Sequence, residues 1–172
     1  PELLISDAYD EQTHTYRLTV SQSTPPTADQ MEKVNLHIPL KIALYDANGT
    51  KQMLQHNGEL LSDVLNVTEK DQVFEFHGIY GRPIPALLCD FSAPVKLDYD
   101  YTTEQLLGLL KFADNQFVRW DAAQMLFTQE LRRNVAHFQQ GEAFEISPDV
   151  LTALAHVLEN YEQDIELATL IL

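Results

Sequence analysis

Basic side chains are scarce in this chain, and their scarcity excludes two classes of partner. The 172 residues carry 11 Lys and Arg against 26 Asp and Glu, for a formal net charge of −15. Nucleic acids and anionic membranes attract proteins through basic surfaces. We therefore expect neither as a partner. No Lys or Arg follows Arg133, and we interpret the acidic stretch beyond it as a solvated face.

Cysteine and long apolar runs are also scarce. Cys89 is the single cysteine, so no intramolecular disulfide can form. It ends the apolar run Ala86-Leu87-Leu88-Cys89, which predicts a buried structural thiol in a reducing compartment. No apolar run approaches the length of about 18 residues that a membrane span requires. The opening Pro1-Glu2-Leu3 does not resemble a signal peptide, and we expect a segment of a longer protein.

Turn residues are concentrated in the first part of the chain, which predicts an all-β domain over residues 1–101. Seven of the eight prolines and four of the six glycines precede residue 101. Alternation of apolar and polar residues, as in Tyr16-Arg17-Leu18-Thr19-Val20, predicts strands with one buried face. About seven short strands without a helix are typical of an immunoglobulin-like β-sandwich. The predicted strands are 3–6, 15–23, 36–45, 51–55, 61–67, 72–76, 86–91 and 95–99.

The hydrophobic period changes near residue 101, and residues 102–172 are predicted to be all-α. Thr102 and Gln105 have the spacing of a capping box. Ser147-Pro148 predicts a second helix start, with proline at the first helical position. Asp164 is predicted to cap a last helix that is still apolar at Leu172. Such a helical run predicts the start of a helical array.

Two local patterns carry finer predictions. Asn48-Gly49 predicts a type I′ hairpin turn, in which both residues take positive φ. In the second part, one helical face is predicted to carry Phe117, Trp120, Phe127, Leu131 and Phe138. Trp120 is then expected to anchor the core, while Arg119 and Asp121 form interhelical or interdomain pairs.

The chain contains no recognisable catalytic motif. His-Glu-x-x-His, a nucleotide-binding glycine loop and Gly-x-Ser-x-Gly are all absent, so we predict no catalytic, cofactor-binding or metal-ligating residue. His156 and Glu159 resemble half a metal site, without a third ligand. Glu75 and His77 are predicted to form a solvent-side pair on one strand face. Cys89 has no visible base beside it, and a solvated turn is predicted for Asp7, Asp10 and Glu11.

Several longer stretches resemble the bacterial aminopeptidase N family of zinc-dependent alanyl aminopeptidases. The most specific is the proline-framed block Pro83-Ile84-Pro85-Ala86-Leu87-Leu88-Cys89-Asp90-Phe91-Ser92-Ala93-Pro94-Val95-Lys96-Leu97. The resemblance runs over nearly the whole chain. The further stretches that carry it are Leu18 to Pro25, Leu36 to Leu40, Val64 to Thr68 and Arg119-Trp120-Asp121-Ala122-Ala123-Gln124.

The resemblance implies that residues 1–101 form the family's β-sandwich and residues 102–172 the first helices of its C-terminal α-solenoid. The family's zinc motif and Gly-x-Met-x-Asn motif have no counterpart here, so the chain would be a non-catalytic segment of a cytoplasmic peptide-degrading enzyme. Its partners would be the catalytic domain and the remaining solenoid of the parent chain, and the parent would act on peptides. The alternatives are an independent module that binds protein or carbohydrate, which would present exposed aromatic residues, and a self-contained hydrolase.

Overall fold

A computed structural model describes residues 1–171, except for the side chain of Gln163. The chain divides into two compact units, Pro1–Asp100 and Tyr101–Leu172. We call them the β unit and the helical unit. None of the helices within the described range is both long enough and apolar enough to cross a bilayer.

Two sheets make up most of the β unit. One has the strand order β7-β2-β1-β9 and the other the order β6-β3-β8, while β4 and β5 pair only with each other. Strand β9 runs parallel to β1, and the other pairs are antiparallel. These seven sheet strands confirm the predicted immunoglobulin-like fold. The strands are β1 (Glu2–Asp10), β2 (Thr15–Ser23), β3 (Ile38–Tyr45), β4 (Gln55–His56), β5 (Glu59–Leu60), β6 (Val64–Val67), β7 (Asp71–His77), β8 (Ile84–Leu87) and β9 (Lys96–Asp98).

The core of the β unit is built from the alternate residues that the sequence pattern identifies. Tyr16, Leu18 and Val20 on β2 have no exposed surface, whereas Arg17 between them is exposed. Leu40 and Leu44 are buried in the same way on the second sheet. Each such side chain contributes about 1.5–3 kcal/mol when it leaves water, so these two inner faces stabilise the sandwich.

The predicted strand over 86–91 is wrong at its end. Strand β8 stops at Leu87, Leu88 takes a left-handed φ of 59°, and a 3₁₀ turn covers Cys89–Phe91. On the neighbouring strand β3, the backbone N–H of Lys41 instead donates a hydrogen bond to Ser92 Oγ at 2.9 Å. The Cys89 side chain is buried, as the apolar run predicts.

The two Asn-Gly pairs of the β unit behave differently, and the prediction for the first is wrong. Asn48 does not have positive φ, and only Gly49 does, at 82°. The Asp46 carboxylate accepts hydrogen bonds from the N–H groups of Asn48 and Thr50, both at 2.8 Å, which favours another turn. Asn57-Gly58 instead has the positive φ values, 50° and 82°, of a type I′ turn. This turn joins β4 and β5. Of the predicted strand 51–55, only residue 55 lies in one of the named strands.

Four α-helices form the helical unit within the described residues, and their predicted starts are confirmed. Thr102 and Gln105 form the reciprocal capping box, and Ser147 caps a helix whose first residue is Pro148. Asp164 Oδ1 accepts the N–H of Leu167 at 3.0 Å. The helices are α1 (Thr103–Phe112), α2 (Gln116–Gln139), α3 (Pro148–Glu159) and α4 (Ile165–Ile171), with a 3₁₀ turn at Tyr161–Gln163.

Helix α2 buries a different face from the one that its aromatic residues predict. Trp120 is half-buried, and Leu131 and Phe138 are 64% and 80% exposed. The buried residues of α2 are Val118, Ala122, Ala123, Leu126 and Asn134, none of which belongs to the predicted face and two of which are alanines. Small residues allow neighbouring helices to approach closely, whereas large aromatic rings at the same positions would hold them apart. The aromatic residues therefore lie beside the core contact or at the surface.

Candidate functional site

Three potential metal ligands lie together on the β unit. They are His56, Glu75 and His77, and their ligand atoms all lie within 4.8 Å of one another. All three side chains are half-buried. Imidazole nitrogen and carboxylate oxygen are common ligands of zinc and related ions. In the part of the chain that the structure describes, no other group has three such residues.

Strand β7 and the β4–β5 hairpin bring these residues together. Glu75 and His77 are two residues apart on β7, so they project from the same, outward face of the sheet. His56 is the last residue of β4, directly before the Asn57-Gly58 turn. Its ring lies 4.4 Å from the ring of His77, centroid to centroid. The turn therefore determines where the third side chain of the cluster lies.

A glycine lies where β7 ends beside the hairpin. Gly78 follows β7 with a left-handed φ of 70°, and a Cβ atom there would lie 2.4 Å from Gln55 Nε2. A side chain at this position would therefore strain the backbone and displace Gln55. The amide of Asn57 provides a further contact, because its N–H donates to His77 Nδ1 at 3.1 Å.

The charge of Glu75 is set by its neighbour across the sheet. Arg17 is paired with Glu75 in the register of β2 and β7, and its Nε donates to Glu75 Oε1. This hydrogen bond lowers the pKa of Glu75, so the carboxylate is ionised at neutral pH. Its second oxygen, Oε2, lies 3.9 Å from His77 Nε2. The cluster thus combines one fixed carboxylate with two imidazoles.

The sequence identifies two members of this cluster and misses the third. Glu75 and His77 do share a strand face, as predicted, although they are half-buried rather than fully solvated. His56 was missed because it lies 19 residues before Glu75 and just beyond the predicted strand 51–55. The signal that could have placed it is Asn57-Gly58, since a type I′ turn there folds His56 back against another strand.

For the other metal-ligand candidates in the sequence, no third ligand lies nearby among the described residues. Burial lowers the pKa of His156, and the positive charges of Arg119 and Lys111 lower it further. A cation-rich setting of this kind disfavours a metal ion beside Glu159. Asp10 Oδ1 accepts the N–H groups of Gln12 and Thr13 at 2.9 and 3.2 Å, which is the predicted turn. The prediction is wrong for Asp7, which lies on β1 and accepts a hydrogen bond from Arg82 Nη2 at 3.0 Å.

The helical unit has an open groove between α2 and α4. Its volume is about 330 Å³, and its lining includes Phe117, Trp120, Leu167 and Leu170. The Phe117 and Trp120 rings are tilted, with centroids 5.9 Å apart. Trp120 therefore lines a groove instead of anchoring the core. The lining is mainly apolar, and Gln116 and Glu166 complete it.

The two charged neighbours of Trp120 have different surroundings. Arg119 Nε donates to the carbonyl oxygen of Leu110 at 3.0 Å, and its guanidinium lies 4.0 Å from Asp164 Oδ2. Arg119 thereby connects α1, α2 and the start of α4, as an interhelical pair was predicted to do. Burial raises the pKa of Asp121.

Comparisons with known proteins identify the family of both units. Residues 1–100 match a domain of unknown function, DUF3458, described as having an Ig-like fold. Residues 103–172 match DUF3458_C, described as ARM repeats. A crystal structure of Legionella pneumophila aminopeptidase A in complex with aspartic acid matches with a TM-score of 0.77 and 26% identity, over 99% of this chain and 18% of that one.

Curated relatives extend the match over the whole sequence. Across all 172 residues the chain is 91% identical to aminopeptidase N of Haemophilus influenzae and 46% identical to aminopeptidase N of Escherichia coli. It spans 20% of the length of each of these relatives. The chain therefore belongs to the DUF3458 family, and throughout its length it is similar to one segment of bacterial aminopeptidase N.

Proposed function

We propose that this chain is a non-catalytic segment of a zinc-dependent aminopeptidase that releases N-terminal amino acids from peptides. The observation that carries the proposal is 91% identity along the full chain to one fifth of the H. influenzae enzyme. In this proposal the β unit is a spacer. The helical unit begins the α-solenoid that covers the active site, and both limit the path by which peptides reach the zinc.

The residues of this chain do not fit the catalytic zinc of such an enzyme. His-Glu-x-x-His is absent from the sequence. The His56–Glu75–His77 cluster contains a single carboxylate, and Arg17 already holds it. A zinc peptidase needs a further carboxylate as general base beside the metal. The zinc and its base would therefore come from another part of the parent chain.

The remaining features of the proposal concern the parent protein. Its partners within the same polypeptide would be the catalytic domain and the rest of the solenoid, and its substrates would be peptides. We also propose a cytoplasmic location, with which a single, buried cysteine, Cys89, is compatible. Cell fractionation of the native parent would test this location, and recovery in a secreted or periplasmic fraction would contradict it.

A chimaeric enzyme tests the spacer role. In one chimaera, this chain would replace the matching fifth of the H. influenzae relative. In a second, four glycine and serine residues would also be inserted between Asp100 and Tyr101. The insertion should loosen the support of the helical cap. We expect kcat/KM for long peptides to rise relative to a small aminoacyl chromogenic substrate, whose turnover should stay the same.

Two outcomes would contradict this role. Equal loss of turnover for long and short substrates would show that the segment takes part in the chemistry, and an unchanged length profile would show that it does not control access. As a control, the isolated chain should not hydrolyse the chromogenic substrate above a mock preparation. Turnover by the isolated chain would favour a self-contained hydrolase.

One observation supports the alternative of an independent interaction module. The groove lined by Phe117, Trp120 and Leu170 is open and apolar, which suits a protein partner better than a carbohydrate, because sugars need polar groups as well as an aromatic face. The module would bind a partner as an isolated chain. A spacer would work only within the chimaera.

A further inference from the structure

We propose that His56, Glu75 and His77 bind one divalent transition-metal ion on the β unit. The three ligand types are two imidazoles and a carboxylate, and they come from two elements that the fold holds side by side. Such a set leaves one position of a tetrahedral ion for water. This inference goes beyond the spacer role and does not depend on it.

The distances require only a small closure. Ligand atoms bonded to a tetrahedral zinc ion at 2.0–2.1 Å lie about 3.3 Å from one another. The carboxylate oxygen Glu75 Oε2 and His77 Nε2 are already 3.9 Å apart, and the whole set lies within 4.8 Å. Rotation of half-exposed side chains can supply this difference. The hydrogen bond from Arg17 to the other carboxylate oxygen keeps Oε2 directed at the histidines.

The charge balance selects the kind of ion. The positive charge of Arg17 offsets the charge of Glu75, so the cluster has little net negative charge. Ca²⁺ and Mg²⁺ need several oxygen ligands and bind through negative charge. Zn²⁺ and its neighbours in the transition series bind neutral imidazole well. The site should therefore prefer Zn²⁺ to Ca²⁺.

Binding must change one hydrogen bond of the hairpin. His77 Nδ1 accepts the Asn57 N–H at 3.1 Å. If the metal binds Nδ1, it takes that lone pair, and if it binds Nε2, the ring proton moves to Nδ1 and faces the N–H. The Asn57 amide loses its acceptor in both cases. Losing this one neutral hydrogen bond limits the affinity without preventing binding.

The test is a zinc titration of the 172-residue chain by calorimetry, with matched variants. His77→Asn keeps an acceptor oxygen near the position of Nδ1, and His56→Phe keeps a ring against His77, so both should fold. The control is His137→Gln, because His137 and Glu142 form a pair with Nδ1 3.7 Å from the carboxylate. Circular dichroism would establish that every variant is folded.

We expect one Zn²⁺ per chain, with binding at least about tenfold weaker in His77→Asn and His56→Phe and unchanged in His137→Gln. Ca²⁺ should not compete. Nuclear magnetic resonance should show the Asn57 amide signal shifting with zinc. No saturable binding, equal binding by His77→Asn, or loss of binding in His137→Gln would overturn the site. Activity is not part of this readout, so the result stands apart from the spacer proposal.

Discussion

The β unit encloses its core with large side chains, whereas the helical unit buries few of them and, among the described residues, exposes as many large apolar side chains over a shorter length. Among the described residues, nine of the twelve largest fully buried side chains belong to the β unit. The other three, Leu106, Leu109 and Leu110, all lie on α1. Phe138 on α2 and Leu170 on α4 are 80% and 62% exposed.

This difference follows from the two architectures. A sandwich closes its core between two sheets of the same domain. Helical repeats bury their apolar faces against neighbouring repeats, and the helical unit matches the ARM-repeat family. We infer that the β unit is self-sufficient and that the helical unit depends on further packing partners.

The largest expected effect compares one phenylalanine from each unit. Phe76 on β7 has no exposed surface, so Phe76→Ala should lower the free energy of unfolding of the β unit by about 3–5 kcal/mol. Phe138→Ala on the exposed face of α2 should change stability by less than about 0.5 kcal/mol. Urea unfolding followed by far-ultraviolet circular dichroism would measure both. Similar losses for the two variants would remove the contrast between the units.

A second comparison uses a buried amide from each unit. The Gln22 side chain donates to the carbonyl oxygens of Leu36 and Glu69, both at 3.0 Å, and accepts the Leu36 N–H at 2.8 Å. Asn134 likewise donates to the Glu145 carbonyl oxygen at 3.0 Å and accepts its N–H at 3.1 Å. Each amide therefore holds a loop against a regular element.

We expect Gln22→Met and Asn134→Leu each to cost about 2–3 kcal/mol, because each variant loses at least two hydrogen bonds to backbone groups, which contribute about 1 kcal/mol each. Trp120 is the single tryptophan, so its fluorescence follows the helical unit alone. Asn134→Leu should shift the urea midpoint of the fluorescence, and Gln22→Met should leave that midpoint in place. A fluorescence shift in Gln22→Met would show that the two units unfold together.

A smaller effect separates strain from steric clash in the hairpin of the β unit. Gly58 and Gly78 both have left-handed φ values, but only Gly78 has a neighbour, Gln55, in the way of a Cβ atom. Gly58→Ala should cost about 1–2 kcal/mol from backbone strain alone. Gly78→Ala should cost slightly more, because the flexible amide end of the Gln55 side chain must also move aside. A cost for Gly78→Ala below that of Gly58→Ala would contradict this contribution of Gln55.

The smallest effect is the pH dependence of the helical unit. Burial raises the pKa of Glu130, but hydrogen bonds from Ser147 and the charge of Arg133 outweigh it, and the net pKa is lowered. A lowered pKa in the folded state gives stability that is present above the unfolded pKa and is lost as pH falls through the folded pKa. Thermal unfolding by Trp120 fluorescence between pH 7 and pH 3 should show this loss, and Glu130→Gln should reduce it. An identical profile in the variant would exclude Glu130.

The fold is largely predictable from the sequence because its signals are local. Alternation in β2, the capping box at Thr102 and the Ser147-Pro148 start each depend on a few adjacent residues. The turn at Asn48 was mistaken because the Asp46 side chain, three residues before Gly49, takes the backbone N–H groups of the turn. The buried face of α2 was predicted wrongly because small residues, and not Trp120, form the close contacts with the neighbouring helices.

The candidate metal site is less predictable, for a physical reason. Two of its ligands share one strand, and their spacing is visible in the sequence. His56 joins them only because a hairpin of two short strands packs against β7. Such long-range contacts leave no periodic pattern in the sequence.

Residue-resolved amide hydrogen exchange of the 172-residue chain tests the contrast between the units most directly. Amides in the centres of β2 and β7 should exchange only through unfolding of the β unit. Amides of α4, which is only seven residues long, should exchange at least about a hundredfold faster through local opening. If Ala168 to Ile171 exchange as slowly as Leu18 and Val20, the helical unit completes its own core and the inferred dependence on packing partners is wrong.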